Sequence, residues 1–146
     1  MINFFTEDIQ YNFKNRRACK RWIIAALEEE KVLNNKKFEE LSFIFCSDEY
    51  LLDMNKKYLG HDYYTDVITF DNSEDNTFSG DVFISIDRVR ENAGTFGQLF
   101  IDELHRVIIH GVLHLSGFDD ATEQEQKTMR SKEDYYLAKR RFDDNR

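Results

Sequence analysis

Apolar positions along the chain switch between two spacings. Compact β-rich runs alternate with stretches that carry a helical repeat, and polar breaks separate them. "INFF" near the start reads as a short edge strand. From Asn12 to Val32, the residues Ala18, Trp22, Ala25, Ala26 and Val32 fall near helical spacing, which predicts an amphipathic helix. Glu40 to Ser47, "ELSFIFCS", predicts a strand. Ser47 or Asp48 is placed to cap a following helix that carries Tyr50, Leu51, Met54 and Tyr58, and Gly60 is placed to stop it.

The second half repeats this logic with longer helices. Thr65 to Asp71, "TDVITFD", predicts a strand. Residues 72 to 79, "NSEDNTFS", are polar and predict a loop or turn. Gly80 to Ile86 predicts the next strand, and Asp87 to about Asn92 a helix that ends in the turn "AGTFG". A long helix is predicted from Gln98 to Ser116. Thr122, with Glu125 three residues on, makes a capping box for a last helix in "TEQEQKTMRSKEDYYLAKRRF". There are no repeats, low-complexity segments or linkers. The order β-α-β-α-β-β-α-α-α predicts one α+β domain over residues 1–146 with about four strands.

Composition narrows the function classes. The 146 residues are 41% hydrophobic and 14% aromatic, enough for one folded core. There is no proline, so a cis-proline turn is excluded. The formal net charge of −8 argues against a generic nucleic-acid coat and leaves room only for a local basic strip or a bound cation. Cys19 and Cys46 have no metal-binding spacing and read as reduced, buried thiols. The start "MINFFTEDIQ" lacks the basic and apolar regions of a signal peptide, and no run approaches a membrane span. The expected location is the cytoplasm, with no membrane contact.

Candidate chemistry concentrates in "IIHGVLHLSGFDD", Ile108 to Asp120. His110 and His114 are four residues apart on a predicted helix, so they share a face about 6 Å apart along the axis. That spacing offers two imidazoles to one ion. At 100° per residue, Leu104, Ile108, Gly111, Val112 and Leu115 cluster on one side. His110, His114 and Glu103 fall on another stripe, beside the core rather than in it. Gly117 suits the left-handed residue that ends a helix, after which the chain can bring Asp119 or Asp120 to the imidazoles. Three protein ligands leave a fourth position for water, the layout of a catalytic site.

The segment "HGVLHLSGFDD" resembles the signature H-G-x-L-H-L-x-G-Y-D-H of the YbeY family, the bacterial endoribonucleases of rRNA maturation. "MNKKYLG", "YTDVITFD" and "GDVFIS" resemble further family landmarks in the same order, as do Met129 and Glu133 in an M-x-x-x-E pair. The resemblance spans roughly residues 40 to 135. It implies an α+β fold with a mixed sheet and a metal helix beside a cleft. It also implies a single-strand-specific, zinc-dependent endoribonuclease acting on the 3′ end of small-subunit (16S) rRNA. The implied partners are ribosomal RNA and the small ribosomal subunit, not DNA.

Carried over by position, the resemblance puts the zinc ligands at His110, His114 and Asp120. Asp120 stands where the signature has histidine. A carboxylate is a normal zinc ligand, but its charge makes bound water harder to deprotonate and harder divalent metals more competitive. Leu59 stands where the family has an arginine expected to hold substrate phosphate, and Lys56, Lys57 and His61 are the nearby substitutes. Tyr64 replaces a proline. Glu103 is placed to orient a ligating histidine. A metalloprotease would need glutamate where Gly111 stands. A non-haem iron site usually builds its two-histidine, one-carboxylate set on a β-barrel rather than on one helix. The remaining alternative is a ribosome-assembly or RNA-binding protein with a structural metal, which the loss of arginine at Leu59 favours.

Overall fold

The computed structural model describes residues 1–142. Its elements follow the predicted order: β1 (Ile2–Thr6), α1 (Arg16–Glu29), β2 (Lys37–Cys46), α2 (Asp48–Leu59), β3 (Val67–Asp71), β4 (Thr77–Ser85), α3 (Ile86–Phe96), α4 (Phe100–Leu115) and α5 (Glu123–Leu137). The four strands form one mixed sheet in the order β1-β2-β4-β3. β1 pairs with β2 and β2 with β4 in parallel, while β3 and β4 form an antiparallel hairpin. β1 is thus an edge strand, as its short apolar run predicts.

Alternation along the strands divides the apolar residues between two faces. Phe4, Phe43, Phe45, Val82 and Ile84 enter the main core with Trp22, Ile23, Ile108 and Val112. Cys46 and Ile68 turn the other way and meet Leu51, with Phe70 and Phe83 beside them. α4 sits tightly on the β4 side of the sheet. A Cβ at Gly111 would come within 2.8 Å of Val82 Cγ1, and one at Gly80 within 2.8 Å of a Leu115 methyl. These glycines let helix and strand approach closely.

Several boundaries differ from the sequence reading. β2 begins at Lys37 and β4 at Thr77, because the two pair from Lys37↔Thr77 onward, with a register shift between Phe38 and Glu40. α3 runs through "AGT" to Phe96 and stops at Gly97, whose φ of 66° is left-handed. Gly94 is tolerated mid-helix, where added bulk would meet nothing. The caps agree with prediction. Ser47 Oγ accepts from Tyr50 N, Gly60 ends α2 at φ 69°, and the Thr122–Glu125 box is complete. Both cysteines are free and buried. Among the described residues no helix is long and apolar enough to cross a membrane.

α1 and α5 are joined where Trp22 Nε1 donates to Tyr136 O at 2.7 Å. Beside this contact, His105 is buried between Trp22 and Phe142, with ring centroids 5.9 and 4.4 Å away. Its Nδ1 meets an Arg140 guanidinium nitrogen at 2.8 Å, and among the described residues its Nε2 has no partner. Burial, aided by the Arg140 charge and opposed by Asp102, lowers its pKa from 6.5 to about 3. The unfolded chain therefore takes up a proton that the folded chain refuses. Stability from neutral His105 is complete above pH 6.5 and is lost as pH falls toward 3. The expected slope is at most about 1.4 kcal/mol per pH unit. Urea titrations between pH 4 and 7 should show it, and a His105→Phe variant should flatten it.

Candidate metal and RNA site

A cavity of about 700 Å³ opens where α2, β3, α3, α4 and α5 meet. α4 contributes Glu103, Arg106, His110 and His114 to its wall, at i, i+3, i+7 and i+11 along one stripe. Asp120 enters from the loop after α4. Gly117, at φ 108°, makes that turn, and Phe118 N closes it onto Leu113 O at 3.1 Å. Asp66 lies just before β3, and Met129, Arg130 and Glu133 come from α5.

The two imidazoles lie nearly parallel, 9° apart with centroids at 6.2 Å. His110 Nδ1 is 2.7 Å from Glu133 Oε2, and His114 Nδ1 is 3.0 Å from Phe118 O. Both acceptors fix the ring proton on Nδ1, so each neutral imidazole keeps its lone pair on Nε2. Asp120 Oδ2 stands 3.4 Å from His110 Nε2. In a tetrahedral zinc site with bonds near 2.0–2.1 Å, neighbouring ligand atoms are about 3.4 Å apart. The His110–Asp120 pair therefore already has the span of one coordination edge. Among the described residues no three His, Cys, Asp or Glu side chains converge as a finished cage. Asp120, with its side chain 45% exposed on a loop, is the donor best able to adjust.

Behind the histidines lies a charge chain that the sequence reading missed. Glu133 is buried, accepting from His110 on one oxygen and from Arg106 Nη1 on the other at 2.9 Å. Arg106 also reaches Asp134 at 2.6 Å. Burial pulls the His110 pKa down, but the Glu133 hydrogen bond and the charges of Glu133, Asp120 and Asp66 outweigh it and leave the pKa raised. Asp66 and Glu103 are also raised, chiefly by burial. Glu103 lines the cavity, yet among the described residues its carboxylate bonds neither histidine. Glu133 holds the orienting position expected of Glu103. The M-x-x-x-E landmark contained that residue, but only the fold brings α5 against α4.

Of the side chains expected to contact RNA, His61 reaches the wall, where it stacks on Tyr63 and shares a 2.9 Å hydrogen bond with its hydroxyl. Lys56 and Lys57 stay outside the wall. Lys56 pairs with Asp62 at 3.5 Å, and Lys57 lies over Tyr58. Leu59 is in the wall.

Comparison with known proteins places this architecture. The family model for "Endoribonuclease YbeY" matches residues 1–141. The chain belongs to the YbeY family. A YbeY relative from Cytophaga hutchinsonii is 51% identical over 97% of this chain and 96% of its own length. One from Karelsulcia muelleri is 50% identical over 94% of each. Both relatives carry the name Endoribonuclease YbeY. A solution structure of a Thermotoga maritima protein superposes with a TM-score of 0.60 at 28% identity, covering 94% of this chain and 87% of that one. The YbeY match extends through β1 and α1, beyond the stretch in which the landmarks are legible.

Proposed function

We propose that this chain is a metal-dependent endoribonuclease that cleaves single-stranded RNA, with 3′-end maturation of small-subunit rRNA in the cytoplasm as its task. The observation that carries the reading is the pair of parallel imidazoles with both Nδ1 atoms occupied and an aspartate one coordination edge away, inside a cavity. The endoribonuclease names of its YbeY relatives support the reaction class.

His110, His114 and Asp120 would hold one ion, with zinc the best fit to two nitrogens and one carboxylate. Such an ion lowers the pKa of water and polarises a phosphoryl oxygen. The chain's own groups do the rest. Glu133 and the Phe118 carbonyl fix the two rings, and Arg106 anchors Glu133. The raised pKa of Glu103 and of Asp66 keeps a proton closer to neutrality than an ordinary carboxyl does, within reach of the cavity. Exposed Tyr63 and Phe96 at the wall offer faces on which unpaired bases stack, which suits a single strand. Leu59 in the wall favours the second reading, a ribosome-assembly protein that binds RNA without cutting it.

Incubating the purified chain with single-stranded and duplex RNA, with and without chelator, separates the two. Cleavage of the single strand alone, lost with chelator and restored by zinc, is the expected result. RNA binding without cleavage under any metal condition selects the second reading. Asp120→Ala should lose most ion affinity, Asp119→Ala much less, and Asp120→His should retain it. Zinc titration calorimetry checks this order. Greater loss in Asp119→Ala would reassign the third ligand.

A further inference from the structure

An RNA phosphate entering this cavity meets four carboxylates, those of Asp66, Glu103, Asp120 and Glu133. Something must offset that field beyond a single divalent ion. Lys56 and Lys57 lie outside the wall, and Leu59 offers no charge. Among the described wall residues the lysine and arginine side chains come down to Arg106 and Arg130.

These two arginines are in different states. Arg106 is committed to Glu133 at 2.9 Å and Asp134 at 2.6 Å. Turning it toward substrate would strip a buried carboxylate of its partner. Arg130 is exposed, and among the described residues no carboxylate lies within ion-pair range of it. It shares one face of α5 with Gln126, Met129 and Glu133, all of them in the wall. Its charge is felt at Glu103 across the cavity. A guanidinium with uncommitted donors at the rim of an acidic cavity matches the two-oxygen edge of a phosphate.

We propose that Arg130 is the substrate-phosphate contact of this cavity. The proposal rests on the RNA-cleaving reading of the same site and identifies the side chain that makes a polyanion acceptable there. The contact forms with the ground state as well as during reaction, so it acts on binding more than on turnover.

The test uses the full chain and a fluorescein-labelled single-stranded oligouridine. Anisotropy across a potassium chloride series gives affinity and its salt slope, and zinc-loaded cleavage kinetics give KM and kcat. For Arg130→Gln we expect affinity about tenfold weaker, a salt slope shallower by about 0.7, and KM raised with kcat little changed. Arg130→Lys should recover the slope, since a point charge suffices for counterion release, while its KM stays above wild type. Unchanged slope and KM in Arg130→Gln, with wild type cleaving normally, overturns the Arg130 proposal alone. So does flattening by a Lys56→Ala, Lys57→Ala double variant while Arg130→Gln keeps the wild-type slope. A wild-type chain that neither binds nor cleaves the RNA overturns the site reading and this proposal together.

Discussion

His114→Ala is expected to cleave single-stranded RNA on the order of a thousandfold more slowly than wild type while keeping its fold. An ion that activates water and polarises phosphate supplies several kcal/mol of transition-state stabilisation, and each 1.36 kcal/mol is a factor of about ten in rate. Losing one of two imidazoles removes most of that. The structural loss is smaller. His114 contributes one hydrogen bond, to the Phe118 carbonyl at 3.0 Å, on the cavity side of α4 rather than in the core. A lost hydrogen bond of this kind costs about 1 kcal/mol. Single-turnover cleavage paired with a urea unfolding curve checks both halves. Near-wild-type cleavage by a folded His114→Ala protein would remove this imidazole from the chemistry.

Glu133→Gln should be the most damaging change at a residue outside the ligand set. The carboxylate accepts from His110 on one oxygen and from Arg106 on the other, and an amide can accept on only one side. Its NH₂ group must face a donor, whichever way it flips. Partners that fix a ligating histidine in this way typically contribute 10–100-fold, about that much in ion affinity or rate. Stability should fall by about 1–3 kcal/mol, moderated because Arg106 keeps Asp134. The variant also separates two pH effects. In the metal-free protein His110 has a pKa raised above 6.5, so its stabilising contribution is full below that value and is lost as pH rises through the folded pKa. Ion binding needs the neutral ring and runs the opposite way. With Glu133 uncharged, burial dominates and the His110 pKa should drop, so zinc affinity in Glu133→Gln should decline less on acidification than in wild type. A parallel decline in both proteins, followed by calorimetry from pH 5.5 to 8, would show that Glu133 does not govern this proton.

What was legible in the chain follows from what is local. The i, i+4 histidines, the Gly117 stop, the capping box and the strand runs each depend on residues within a turn or two of one another, and the structure carries all of them. The start of β2 at Lys37 was not legible. Polar Lys37 is drawn into the sheet by pairing with Thr77, as Phe38 is with Phe78, some 40 positions away, while Glu39 falls at the register shift that follows. The full length of α3 was hidden by Gly94, which reads as a turn in sequence but sits in open space on a helix surface. Glu103 shares the histidine stripe and so attracted the orienting role. Glu133 took it because α5 folds back along α4, a contact that no periodicity encodes. Lys56 and Lys57 were candidates by proximity in sequence to Leu59, yet helix geometry turns them away from the wall that Leu59 joins.

This cavity is expected to hold one ion on which RNA cleavage depends. The most direct measurement strips the purified chain with chelator and titrates zinc back, reading bound ion by elemental analysis and cleavage of single-stranded RNA on the same samples. Cleavage is expected to rise with bound zinc and to saturate at about one ion per chain, the number one three-ligand site can take. Cleavage by the stripped protein with no ion bound, or cleavage that does not follow occupancy, would contradict it.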